Sequence, residues 1–271
     1  MPEFLLELYS EEIPPSLQIS ARNELCEKIK YEFLNEGLKY TSIESFSTPT
    51  RLTILIKDLL DKIKVPSKEI KGPKVGVEKE ILFNFLKAHK ISKKELLQKE
   101  NEKGSFYYIK TQAKEIYIKD TITKIILNSI ASIRWKKSMK WSDNNLLWGR
   151  PLRSILAIYN NKTLNFDYGH LKSTNLTYIE KDLEIKSKII LNYKDYRDYL
   201  KENEITLDHK EREKIILKKI NNICKTKKFS NFYNPKLLNE VVNIVDNPHI
   251  LLIEFDKKFL ELPKEIIIST L

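Results

Sequence analysis

The residues best equipped for chemistry lie in one short stretch. It reads Arg134-Trp135-Lys136-Lys137-Ser138-Met139-Lys140-Trp141 and continues with Trp148-Gly149-Arg150-Pro151-Leu152-Arg153. All three tryptophans of the chain fall inside fifteen residues, interleaved with six cations. Cations neutralise phosphates, and aromatic faces stack on unpaired bases, so the pattern points to RNA. The candidate contact residues are Arg134, Lys136, Lys137, Lys140, Trp141, Arg150 and Arg153. The competing reading is that the tryptophans anchor the loop and the cations only solvate it.

Charge distribution favours the first reading. The 271 residues carry 48 Lys+Arg against 37 Asp+Glu, a net charge of +11. Residues 134–172 hold eight cations and only Asp143 and Asp167, a net of +6, whereas residues 1–60 hold six cations and ten acids, a net of −4. A basic patch this local says more than the sum. The lysines of a helix expected from Asp208 to Lys228 are weaker candidates, because acids there neutralise many of them.

Catalytic signatures are missing. There is no Gly-x-x-x-x-Gly-Lys-Ser/Thr, Gly-x-Gly-x-x-Gly or Gly-x-Ser-x-Gly, and only 6 Gly occur at all. His89, His170, His209 and His249 are scattered, none at metal-ligand spacing from another His or a Cys. Lys136 to Lys140 has the residue types of a class I synthetase signature loop in the wrong order. Glu11-Glu12 is a carboxylate pair, but acids in the first turn of a helix complement its positive end at roughly 0.3–1 kcal/mol, and that structural role is expected here. No catalytic residue and no metal site is assigned.

The elements that must position the basic stretch are legible in the periodicities. Phe4 to Tyr9 reads as a buried strand. Pro14-Pro15 opens a helix whose Leu17, Ala21, Leu25, Ile29 and Phe33 share one face, ended by Gly37. Ile43–Phe46 and Leu52–Ile56 are strand-like, giving a β-α-β-β start. Residues 66–76, with Pro66, Gly72, Pro73 and Gly76, read as a linker. Ile81, Phe85 and Leu86 suggest a short helix, Ser92 to Glu95 a capping box opening another, and Phe106–Ile109 a strand. Asp120 is expected to cap a helix striped by Ile122, Ile125, Ile126, Ile130 and Ile133. Ile155–Tyr159, Ile189–Leu191 and Ile250–Ile253 look like strands. Helices are expected from Asp208, from Asn234-Pro235 and from Pro263, the last still apolar at Leu271, which suggests a fragment of a longer protein.

The fold class expected is α+β, as an N-terminal β-α-β-β lobe (1–66), a helix-rich insertion (67–134) and a mixed lobe carrying the basic stretch (135–271). The longest apolar run is five residues, Ile155–Tyr159, far short of the roughly 20 of a membrane helix. No secretory signal opens the chain, and Cys26 and Cys224 are too few for a disulfide framework, so a reducing cytoplasm is the expected setting.

Taken in order, the motifs resemble the beta subunit of bacterial heterotetrameric glycyl-tRNA synthetase. The resemblance runs through Leu5-Leu6-Glu7-Leu8-Tyr9-Ser10-Glu11-Glu12-Ile13-Pro14-Pro15, Phe46-Ser47-Thr48-Pro49-Thr50-Arg51-Leu52, Lys71-Gly72-Pro73, Lys137-Ser138-Met139-Lys140-Trp141, Arg150-Pro151-Leu152 and Leu262-Pro263-Lys264-Glu265. It is collinear over the whole chain. Two departures stand out: Thr50 where Arg is usual, and Thr177-Tyr178-Ile179-Glu180-Lys181 where a Gly-His-Arg triplet is expected. The resemblance implies a tRNA-binding subunit of an alpha2-beta2 assembly. Its alpha subunit, using ATP and Mg, makes glycyl-adenylate and charges tRNA(Gly). The chain itself would hold no cofactor and touch no membrane, and would match the N-terminal portion of a longer subunit. The rival readings are a stand-alone RNA-binding or scaffold module, and a nucleotidyl-transfer enzyme, for which a carboxylate cluster on a strand is wanting.

Overall fold

A computed structural model describes residues 2–270 apart from positions 61, 66, 68, 90, 102–103, 111–113, 142, 144–145, 182–183 and 231–232. The chain opens with β1 (Glu3–Ser10), α1 (Pro15–Asn35), β2 (Ser42–Thr48) and β3 (Arg51–Lys57). Pro15 sits at the helix start, where its missing N–H costs nothing, and all five residues of the expected α1 face are buried. Gly37 closes the helix at φ +66, a conformation that side chains with a Cβ avoid.

The next elements are β4 (Lys62–Val65), β5 (Glu69–Lys74), α2 (Lys79–His89), β6 (Leu96–Asn101), β7 (Gly104–Lys110), β8 (Lys114–Tyr117) and α3 (Lys119–Ala131). Strand β5 occupies the stretch expected to be a linker. Gly72 and Pro73 fit there because β5 is the edge of a β5-β7-β6 sheet and its register slips between Lys71 and Lys74, where no ladder N–H is demanded of proline. The capping box at Ser92 and Glu95 is formed but opens only a single 3-10 turn before β6. Asp120 lies inside the first turn of α3 and caps nothing, yet the whole isoleucine stripe of α3 is buried.

The remaining elements are β9 (Met139–Lys140), β10 (Leu147–Trp148), β11 (Leu152–Tyr159), β12 (Lys162–Thr163), β13 (Asp167–Tyr168), β14 (Leu171–Thr174), β15 (Leu176–Lys181) and β16 (Glu184–Ile189), then α4 (Tyr193–Glu202), α5 (His209–Lys227), α6 (Pro235–Ile244) and α7 (Lys264–Thr270). The strand expected at Ile189–Leu191 therefore ends at Ile189. Asp208 and Asn234 cap α5 and α6 as expected. Residues 250–253 form no strand among the described residues, and Leu251 and Ile253 are exposed. An apolar run becomes a strand only where another strand offers its backbone.

The central sheet runs β13-β14-β11-β1-β3-β2, antiparallel except for β11 beside β14. It draws strands from the first sixty residues and from residues 152–174 alike. Alternation along β1 aims Phe4, Leu6 and Leu8 at α1 and α3, and Leu5 at a second core built with α4 residues Tyr196, Tyr199 and Leu200. The sheet is covered on both faces, so its strands read as continuous apolar runs rather than alternating ones. The molecule is thus α+β. Arg212, fully buried, docks α5 by donating to the carbonyls of Ser47, Thr206, Leu207 and Val242, and burial lowers its pKa to about 10.

Candidate nucleic-acid interface

Helix α3 delivers the chain to the basic stretch, and β9 and β10 fold it back on itself, with Lys140 opposite Leu147 and Met139 opposite Trp148. Strand β11 then anchors the far end beside β1. The tryptophans hold this arrangement in place. Trp148 is 1% exposed and meets Trp135 at 4.9 Å between ring centroids and Tyr168 at 6.4 Å. Gly149 is required by that packing, because a Cβ there would stand 2.3 Å from the Trp135 ring. Trp141 is half-buried, packed against the core and edge-on to His170 at 6.1 Å.

The cations divide into two groups. Lys136, Lys137 and Lys140 are exposed and make no ion pair among the described residues. The Arg134 side chain is exposed too, while its backbone N–H donates to Glu24 at 3.1 Å. Arg150 instead ties the stretch down: Nε donates to the Glu12 carbonyl at 3.2 Å and Nη1 lies 3.3 Å from the Met139 sulfur. Arg153 is neutralised, with Nη1 2.5 Å from Glu180 and Nη2 3.7 Å from Glu11, and the Glu180 contact raises its pKa. Of the seven candidates, four present charge that is unpaired among the described residues and three are engaged within the protein.

Beside this surface lies a cleft of about 650 Å³, reached by Arg150, Arg153, Glu11, Glu12 and Asp246. Glu11 and Glu12 do not enter the first turn of α1, which begins at Pro15 and holds no acid; they sit exposed on the cleft rim. Beneath the rim is a buried network unforeseen from sequence. Glu7 accepts from Arg51 Nε at 3.1 Å, from Tyr196 Oη at 2.5 Å and from Thr177 Oγ1 at 2.8 and 2.9 Å. Arg51 also donates to Thr50 and to the Tyr178 carbonyl, and its guanidinium lies 4.8 Å from the Tyr9 ring centroid. Thr177 and Tyr178 stand where the resemblance expects Gly-His-Arg, so the departing segment is built into this network. The one signal in the sequence was a carboxylate, Glu7, inside an apolar strand.

Chemically, the cleft pairs hydrogen-bond donors with carboxylates. Ser10 Oγ donates to the Glu11 carbonyl at 2.8 Å. Among the described residues no three His, Cys, Asp or Glu side chains converge as metal ligands. No helix among them is long and apolar enough to cross a membrane.

Comparison with known proteins matches residues 4–271 to the family described as glycyl-tRNA synthetase beta subunit. The chain is 34% identical over 272 residues to the glycine–tRNA ligase beta subunit of Rickettsia akari and 35% identical to that of Rickettsia peacockii, covering 100% of this chain and 41% of each relative. Against the Rickettsia prowazekii protein of the same name, identity is 33% over 269 residues. The chain spans about two fifths of the length of these curated relatives.

Proposed function

The chain belongs to the glycyl-tRNA synthetase beta-subunit family, and on that premise we propose that it is the tRNA-binding N-terminal portion of such a subunit. It would support ATP-dependent attachment of glycine to tRNA(Gly) by an alpha-subunit partner, with ATP and Mg bound there and not here. The observation that carries the reading is the exposed trio Lys136, Lys137 and Lys140, unpaired among the described residues, with Lys140 in the β9–β10 strand pair and the other two just before it, beside the packing of Trp135, Trp148 and Gly149. Charge without a counter-ion on a rigid mount is what phosphate contacts need.

The test is tRNA binding by a Lys136→Ala, Lys137→Ala, Lys140→Ala variant across several salt concentrations. Each phosphate contact contributes about 0.7 to the log–log salt slope on a single strand and 0.9 on a duplex, so the slope should fall by roughly two to three. These side chains are exposed, and circular dichroism should be unchanged. An unaltered affinity and slope would move the RNA contact elsewhere.

A further inference from the structure

The β5-β7-β6 sheet presents two unlike faces. Tyr107 and Ile109 of β7 are buried on one, and α2 packs there, its Phe85 ring so close to β5 that a Cβ on Gly72 would lie 2.7 Å from it. Strand alternation turns Phe106 and Tyr108 to the other face. The register sets Lys71 and Leu97 beside Tyr108, Lys74 and Lys99 beside Phe106, and Glu69 beside Lys110. Two half-buried aromatic rings are thus ringed by four exposed lysines and one glutamate. Lys71 Nζ stands 3.7 Å over the Phe106 centroid, Lys99 Nζ stands 5.6 Å from that of Tyr108, and Lys99 also pairs with Glu69 at 2.6 Å.

We propose that this face binds single-stranded RNA, with Phe106 and Tyr108 stacking on two bases and Lys71, Lys74, Lys99 and Lys110 meeting the phosphates. The inference shares with the reading above the premise that the chain handles RNA, but none of its residues. An ammonium over an exposed ring is worth only a few-fold in affinity, whereas a stacked base is worth about five- to hundredfold, so a base displaces the ammonium and frees it for a phosphate. Rings two residues apart on a strand stand about 7 Å apart, twice the roughly 3.4 Å step of a duplex strand, so both can be used only by bases that are unstacked. A sheet whose aromatics stack bases is an established way of reading single strands.

The experiment uses the full chain, a labelled single-stranded RNA of about twelve nucleotides and a duplex of the same length, followed by fluorescence anisotropy at several salt concentrations. A Phe106→Leu, Tyr108→Leu variant keeps apolar bulk and loses the π faces. It should bind the single strand at least about tenfold more weakly with the salt slope unchanged, and the duplex as before. A Lys71→Gln, Lys74→Gln variant should lower the slope by about 0.7 for each phosphate that is no longer neutralised. Ultraviolet cross-linking of the unaltered chain to 5-bromouridine-substituted RNA should place adducts on Phe106 or Tyr108, which decides the matter if the ring variant misfolds. Adducts confined to other residues, or equal affinity in a folded ring variant, overturn the proposal. If the Lys136, Lys137, Lys140 variant alone loses RNA, the sheet proposal falls and the earlier reading stands; the opposite pattern sustains the sheet and removes the other contact.

Discussion

Glu7 and Arg51 are both buried, at 0% and 2% exposure of their side chains, in the middle of adjacent strands. Taking two charges out of water costs several kcal/mol each, and the attraction repays it only when the remaining hydrogen-bonding capacity is also met. Here Tyr196, Thr177, Thr50 and the Tyr178 carbonyl meet it. Burial and the neighbouring Glu7 hold the Tyr196 phenol well above its ordinary pKa, so it stays a donor. Arg51→Met should therefore lower the unfolding free energy by about 3–5 kcal/mol, since Glu7 is left uncompensated. Glu7→Leu with Arg51→Met should cost clearly less than the sum of the two single variants, as read by urea denaturation. Strict additivity would mean that the two charges do not depend on each other. The sequence announced only half of this network. A carboxylate in an apolar strand is visible locally, but its partners lie 44, 170 and 189 residues away, and only the topology brings them together.

Elements were legible where one local pattern sufficed. The four-residue spacing of α1, the isoleucine stripe of α3 and the Asx caps of α5 and α6 are properties of the segment itself, and the structure has each of them. Residues 69–74 and 250–253 failed in opposite directions for one reason: strands are defined by neighbours. An edge position excused Gly72 and Pro73 in β5, while the apolar residues 250–253 found no strand to join among those described. In and around the β9–β10 pair, the sequence showed three tryptophans but not which of their edges would meet. Gly149 is the hinge of that packing. Gly149→Ala would drive a methyl to 2.3 Å from the Trp135 ring, and something must shift. Overpacking of this kind costs typically 1–3 kcal/mol. The melting temperature should drop, and tRNA affinity with it, because Arg134 and Lys136 flank the displaced ring in sequence. A stable variant with unchanged binding would show that the mount of the lysines is not rigid.

At the scale of the whole molecule, the acidic first sixty residues and the basic 134–172 stretch meet in one sheet, where β1 pairs with both β3 and β11. Opposite charges of the two segments meet where Arg153 stands 3.7 Å from Glu11, while Arg134, Lys136, Lys137 and Lys140 are exposed. The cleft between them, about 650 Å³, has the room of a small-molecule site. Room alone does not activate an amino acid. Adenylate formation must neutralise a triphosphate as pyrophosphate leaves, which calls for backbone amides in a glycine-rich cradle or for carboxylates that hold Mg²⁺ near the phosphates. The chain has 6 Gly in all, and of the four acids at the cleft, Glu11, Glu12, Glu180 and Asp246, two stand against Arg153, while among the described residues no three His, Cys, Asp or Glu side chains converge as metal ligands. The purified chain, free of any alpha subunit, should therefore give no glycine-dependent ATP–pyrophosphate exchange above a protein-free blank, while circular dichroism reports an intact fold. Exchange that scales with chain concentration and is lost on Arg150→Ala would instead make this cleft an active site, and the division of labour between two subunits would have to be redrawn.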